Sequence, residues 1–210
     1  MAETLTAFDR RQVAGLILAG GQGSRMQGCD KGLVLLRGEP LVAHVARRLA
    51  PQVGPLILSA NRNAETYARY GRVVADDTDE LGAWQGPLAG LAAGLAAAAP
   101  CEWLVVAPCD TPFLPADLAR RLIAAAQAAG APLAYALAGG QRHPACMALR
   151  ASLLPALRDY LAAGERKVGL WQSRVGGVGA PFDNVPGAPG AFMNLNTPEE
   201  LAAAERYASQ

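Results

Sequence analysis

The sequence is poor in cysteine, in net charge and in long hydrophobic runs, and each shortage removes a class of protein. Cys29, Cys101, Cys109 and Cys146 are the four cysteines in 210 residues. None pairs as Cys-x-x-Cys, and none stands at zinc-finger spacing from His44 or His143, which argues against a disulfide framework or a zinc ribbon. They read as free thiols of a reducing compartment. The 19 basic and 18 acidic residues leave a net charge of +1. That balance speaks against a nucleic-acid surface, since phosphate-backbone binders carry a basic excess, and no polybasic run marks a membrane surface. The alanine-rich stretch Leu88–Ala99 falls far short of the ~20 apolar residues that span a bilayer. Val13–Ala19, behind Arg10-Arg11, is short and runs into a glycine-rich loop without a clear cleavage site. It reads as a buried strand rather than a signal sequence. The expectation is a cytoplasmic protein that binds neither nucleic acid nor membrane.

What is present is ample apolar material. Residues of hydrophobic type make up 51% of the chain, and 210 residues suit one domain spanning 1–210, since single cores grow to roughly 250 residues before splitting. Val13–Leu18 is apolar without alternation, the pattern of a strand buried on both faces. Further strands are expected at Pro55–Ser59, Arg72–Ala75, Trp103–Ala107, Leu133–Ala138 and Ala145–Leu149. Helices are expected from Pro40 to Leu49, over Ala64–Tyr70, Leu88–Ala99, Pro115–Ala129 and Ser152–Leu161, and after Thr197, where Pro198 and Glu200 complete a capping box. Gly176–Gly190, rich in Gly and Pro, reads as loop. Strands alternating with helices predict an α/β, Rossmann-like three-layer sandwich around a mostly parallel sheet. Such sheets bind ligands beyond the carboxyl ends of their strands. Gly20, Gly21, Asn61, Asp76 and Asp110 all fall at strand ends, which points to one site.

The strongest local signal is the segment from Leu18 to Lys31. Its glycines permit close backbone approach, successive N–H groups in such a loop can cradle phosphate, and Arg25 and Lys31 add positive charge. Two familiar phosphate loops do not fit: Met26 stands where a dinucleotide fingerprint needs its third glycine, and Cys29-Asp30 stand where a P-loop needs Lys and Ser/Thr. Asp110, inside Pro108-Cys109-Asp110-Thr111-Pro112, is the metal candidate, because Mg²⁺ typically takes one or two carboxylates plus substrate phosphates. His143 before Pro144 reads as structural, and Trp84, Trp103 and Trp171 as packing residues. Cys109, flanked by an aspartate and prolines, lacks what would activate a thiol.

Taken together, these residues resemble the molybdenum cofactor guanylyltransferases. The resemblance rests on Leu18-Ala19-Gly20-Gly21 with Arg25-Met26, Asp30-Lys31-Gly32-Leu33, Gly38 with Pro40-Leu41, and Ala60-Asn61-Arg62. It continues through Gly86–Gly90, Pro108–Pro112, His143-Pro144, Ala163–Arg166 and Asn194–Leu201. It implies a Rossmann-like nucleotidyltransferase fold and transfer of GMP from GTP to the phosphate of molybdenum-bound molybdopterin, with pyrophosphate released. By matching positions it implies Leu18, Ala19, Gly20, Gly21, Arg25, Lys31, Asn61, Asp76 and Asp110 at the GTP. It further implies Asp110 at Mg²⁺ (or Mn²⁺), Arg25, Lys31 and Asp110 as the catalytic set, and Asn194 and Asn196 at the pterin. Partners implied are GTP, the molybdopterin cofactor, molybdenum-insertion proteins and molybdoenzyme chaperones. The chain departs from the pattern at Ser59, where the family often has Asn, and at Gln27, often Gly. Two other readings share the first loop. A sibling enzyme using CTP or a sugar phosphate would differ in nucleotide preference, and a non-catalytic nucleotide-binding module would have no need of Asp110.

Overall fold

The computed structural model describes residues 8–19, 30–76, 86–184 and 188–208. Its centre is a seven-stranded sheet. The strands in chain order are β1 (Val13–Leu18), β4 (Leu56–Ser59), β5 (Arg72–Val74), β6 (Trp103–Pro108), β7 (Leu133–Ala138), β8 (Gln141–Arg150) and β9 (Val178–Pro181), while β2 (Leu35–Leu36) and β3 (Glu39–Pro40) form a separate small hairpin. Across the sheet the order is β5-β4-β1-β6-β8-β7-β9. Only β8 runs against its neighbours; β5, β4, β1 and β6 are mutually parallel, as are β7 and β9.

β1 shows why the sheet needs two covering layers. Val13 and Ile17 point into one core with the helices Leu41–Leu49 and Leu118–Ala128. Ala14 and Leu16 point into the other, with the helices Pro87–Ala97, Leu154–Ala162 and Val168–Arg174. Alternate residues of a strand face opposite sides, so an uninterrupted apolar strand is stable only between two apolar layers. The three-layer α/β sandwich and mostly parallel sheet expected from the sequence are therefore present. The last helix, Pro198–Tyr207, starts as expected: Thr197 and Glu200 form the capping box, with Pro198 in the first turn.

The structure corrects several boundaries. The Gly176–Gly190 stretch expected as loop contains β9, which pairs with β7 through Ala134↔Val178 and Leu137↔Pro181, and a one-turn helix Ala188–Ala191. Sheet templating overrides composition there. β8 begins at Gln141 rather than Ala145. The turn Gly139-Gly140 has φ of +56° and +72°, the two positive angles of a tight hairpin turn. Pro144, which has no N–H to give a ladder, falls where the β7–β8 register shifts between Tyr135 and Ala136. Pro40 caps the helix Leu41–Leu49 from outside instead of occupying its first position. The helix Val168–Arg174 was not anticipated.

One buried polar residue ties two helices together. The helix Leu118–Ala128 has no side-chain cap from Asp117. Gln52, 7% exposed, supplies it from a distance: its Oε1 accepts from Ala119 N at 2.9 Å, and its Nε2 donates to Pro115 O at 2.9 Å and Arg48 O at 2.7 Å. Gln52→Leu fills the same space but strands these backbone groups, so urea unfolding should show a loss of about 2 kcal/mol. A loss below about 0.5 kcal/mol, the scale of a surface change, would mean water replaces the amide.

Candidate active site

The polar groups gather at the carboxyl edge of the four parallel strands. The ladder sets Leu18, Ser59 and Pro108 at one level, so the residues that follow them emerge side by side. Two clusters form there.

The first lies beyond β4 and β5. Asp76 accepts from Ser59 Oγ at 3.2 Å and from Asn61 Nδ2 at 2.8 Å, and its own N–H donates to Asn61 Oδ1 at 2.9 Å. Ser59 is almost fully buried, and Gly90 in the helix Pro87–Ala97 makes room for it, since a Cβ there would overlap its hydroxyl. Ser59 therefore keeps a donor on Asp76 although an amide is lost.

The second cluster lies beyond β6. Asp110 Oδ2 stands 3.7 Å from Lys31 Nζ, while its Oδ1 is buried with no hydrogen-bond partner. Burial pushes the Asp110 carboxyl above the usual carboxylate range, and the Lys31 charge only partly opposes this. Lys31 Nζ also donates to Asn196 Oδ1. Asn194 Oδ1 accepts from the Thr111 hydroxyl at 2.8 Å, and Leu195 N donates to Asp110 O at 3.0 Å. Leu195 itself is buried in a small core with Leu36, Leu41 and Ala204. The three residues alternate: Leu195 goes into the core, and Asn194 and Asn196 line one cleft.

That cleft has a volume of about 670 Å³ and is bounded by Arg142, His143, Phe192, Asn194, Asn196 and Glu200, among others. The His143 ring stacks on Phe192 at 4.7 Å between centroids, and burial lowers the imidazole pKa from its ordinary value, which favours the neutral ring. With their oxygens taken by Lys31 and Thr111, Asn196 and Asn194 have N–H donors to offer the cleft. The Thr111–Asn194 bond and the His143–Phe192 stack carried no signal in the sequence, because the partners lie far apart in the chain.

β1 ends at Leu18 and Ala19 follows it, with Ala19 N bonded to Ser59 O at 2.8 Å and Leu18 O accepting from Cys109 N at 3.0 Å. Gly20, Gly21 and Arg25 lie outside the described residues. Cys109 and Cys146 are buried, and burial raises both thiols well above their ordinary pKa, as expected for inert cysteines. Among the described residues no helix is long and apolar enough to cross a membrane, and no group of three or more His, Cys, Asp or Glu side chains is placed to hold a metal. The partnerless Asp110 Oδ1 is an oxygen that a cation bound to substrate phosphates could take.

Residues 15–175 match the family model described as MobA-like NTP transferase domain. The molybdenum cofactor guanylyltransferase of Burkholderia ambifaria strain MC40-6 is 47% identical, over 96% of this chain and 100% of that protein. The one from Shewanella halifaxensis is 41% identical, over 90% and 92%. The chain belongs to the molybdenum cofactor guanylyltransferase family. Among solved structures, molybdopterin-guanine dinucleotide biosynthesis protein A from Archaeoglobus fulgidus aligns at a TM-score of 0.76 and 24% identity, over 93% of this chain and 98% of that one. The 4-diphosphocytidyl-2C-methyl-D-erythritol synthase from Anaerococcus prevotii aligns at 0.70 and 13%, over 96% and 100%. At these identities the structural likenesses speak for the fold.

In a guanylyltransferase of this architecture, Asp110 is held against its own solvation preference. Replacing it by Asn removes a buried charge while keeping the shape and a hydrogen-bonding oxygen for Lys31. Without ligands, Asp110→Asn should melt at or above the wild-type temperature. A fall of several degrees would mean that the Lys31 ion pair outweighs the desolvation.

Proposed function

We propose that the protein transfers GMP from GTP to the phosphate of the molybdenum–molybdopterin cofactor, with Mg²⁺ accompanying the nucleotide. The observation that carries this reading is the buried, partnerless Asp110 Oδ1, in a carboxylate paired with Lys31, which also bonds the cleft residue Asn196. It divides the strand edge into a nucleotide side and an acceptor side.

The nucleotide side runs from Asp76 beyond β5, across Asn61 and the end of β1 at Leu18 and Ala19, to Asp110 beyond β6. Three inter-strand steps of about 4.8 Å each make this span about 14 Å, wide enough for base, ribose and phosphates laid across the strand ends. Asp76, with its orientation fixed by Ser59 and Asn61, accepts from the nucleoside. Gly20 and Gly21 offer backbone N–H groups, and Arg25 and Lys31 offer charge, to the phosphates.

The acceptor side is the cleft. A flat heterocycle stacks on the outer face of His143, whose inner face is already backed by Phe192. The amides of Asn194 and Asn196 donate to its phosphate and polar edge. An oxygen of the acceptor phosphate forms a bond to the α-phosphorus of GTP, and the bond from that phosphorus to the α–β bridging oxygen breaks, releasing pyrophosphate. A phosphate monoester is already largely dianionic near pH 7, its second pKa being about 6, so no general base is needed. The obstacle is the approach of two anions. Lys31, in contact with both Asp110 and Asn196, places its charge where they meet. Mg²⁺ held by Asp110 and the triphosphate would neutralise further charge on the phosphates and orient them.

The direct test is pyrophosphate release from purified protein given GTP, CTP or ATP with Mg²⁺ and the pterin phosphate. Release is expected with GTP alone; equal use of CTP would reassign the nucleotide. Asp110→Asn should lower turnover by about a hundredfold or more, with its Mg²⁺ requirement moved to higher concentration. An unchanged metal titration would remove Asp110 from the metal. Asn194→Ala combined with Asn196→Ala should leave GTP affinity within about threefold of wild type while raising the pterin KM more than tenfold. An equal loss of both, with a lower melting temperature, would make these residues structural.

A further inference from the structure

Lys31 is delivered by a minimal element, the single 3-10 turn Lys31–Leu33. So short a turn has few bonds of its own, yet the side chain it carries must reach both Asp110 and Asn196. The turn is capped by Asp30, whose Oδ1 accepts from Gly32 N at 3.3 Å. The same carboxylate is gripped from the far side by two residues distant in the chain. Asn63 Nδ2 donates to Asp30 Oδ2 at 2.9 Å, and the Tyr67 hydroxyl donates to Asp30 Oδ1. Tyr67 is fully buried, with its ring in the core that also holds Val42, Val45 and Leu58. Burial and the neighbouring Asp30 raise the phenol pKa well above its ordinary value, so the hydroxyl stays a donor. Gly32 is part of the same device, because a Cβ at that position would overlap the Tyr67 hydroxyl. Asn63 holds a φ of +52°, a left-handed conformation that asparagine tolerates better than most residues.

We propose that Tyr67 and Asn63 are positioning residues for Lys31: by clamping the Asp30 carboxylate they hold the turn Lys31–Leu33 rigid, so that the ammonium group stays at the junction of the nucleotide and acceptor sides. The core anchors Tyr67, Tyr67 and Asn63 anchor Asp30, and Asp30 anchors the turn. In this chain Asp30 faces a core-anchored phenol, Gly32 clears space for that phenol, and only Lys31 between them is aimed at the site. The inference rests on the reading that Lys31 neutralises triphosphate charge, and the test separates the two.

Tyr67→Phe keeps the ring and its packing and deletes only the bond to Asp30. Steady-state kinetics should show a fall of about tenfold in kcat/KM for GTP, the size expected of one polar contact, carried mainly by KM, with the melting temperature little changed. Asn63→Gly, which removes the second tether while tolerating the left-handed backbone, should act in the same direction. The decisive readout is the double variant: once Lys31 is replaced by Ala, adding Tyr67→Phe should cost no more than about a further twofold, because a positioning residue has nothing left to position. Wild-type GTP kinetics in Tyr67→Phe and Asn63→Gly, with Lys31→Ala impaired, would overturn the positioning role alone. So would a full tenfold loss from Tyr67→Phe in the Lys31→Ala background. Wild-type GTP kinetics in Lys31→Ala itself would overturn the Lys31 reading and the positioning role together. If Tyr67→Phe does not fold, Asn63→Gly carries the same comparison.

Discussion

The constraint on which the rest depends is the burial of β1 on both faces. A strand reading Val-Ala-Gly-Leu-Ile-Leu from Val13 to Leu18 has no polar side chain to show to water, so helices must cover both sides and the chain must cross over between parallel neighbours. Polar groups that follow the strands are thereby pushed to the place where the layers end, the carboxyl edge of the sheet. Asp76 and Asp110 lie at that edge because β5, β4, β1 and β6 run the same way, with their ends in ladder register. β8, which runs against them, closes this parallel half. Beyond it stands the cleft whose lining includes Gln141, Arg142 and His143 from the start of that strand.

How much of this was legible follows from the same physics. β1 and the start of the final capped helix were readable to the residue, because an apolar run and a Thr-Pro-x-Glu sequence are local signals with local causes. The strand-end aspartates could be read because the strands before them could. β9 could not: Gly179 and Pro181 are poor strand formers, and the segment is extended because β7 offers it a partner. A Cβ on Gly179 would overlap the Leu137 side chain, so the residue that hides the strand from a sequence reading is also the one that lets it pack. The resemblance to the family is strong enough to propose the nucleotide side residue by residue. Tyr67 escaped because its bond to Asp30 joins positions 37 apart; in sequence it is one more apolar residue of a short helix.

The site also shows why its charged residues are held in unequal ways. Asp76 is satisfied by three bonds before any ligand arrives. Asp110 keeps one buried oxygen with no partner. On the proposed reading, a carboxylate that orients a neutral nucleoside gains from being fixed in advance. One whose task is to meet a cation and phosphates gains from being left under-solvated, since each interaction the ligand brings is then worth more in the low-dielectric pocket.

Lys31 joins the two halves of the proposed reaction. An ammonium group has three donors. One goes to Asn196, and another direction faces Asp110. At least one donor remains for an incoming phosphate without either contact being surrendered. The oxygen of Asn196 is turned towards Lys31, which turns its amide hydrogens outward, so the cation proposed to receive the nucleotide also fixes the orientation of a group proposed to receive the acceptor. On that reading, the charge offered to one substrate and the donor geometry offered to the other are set by a single side chain. A displacement of its one-turn support would degrade both at once, which is the physical reason for anchoring that turn in the core.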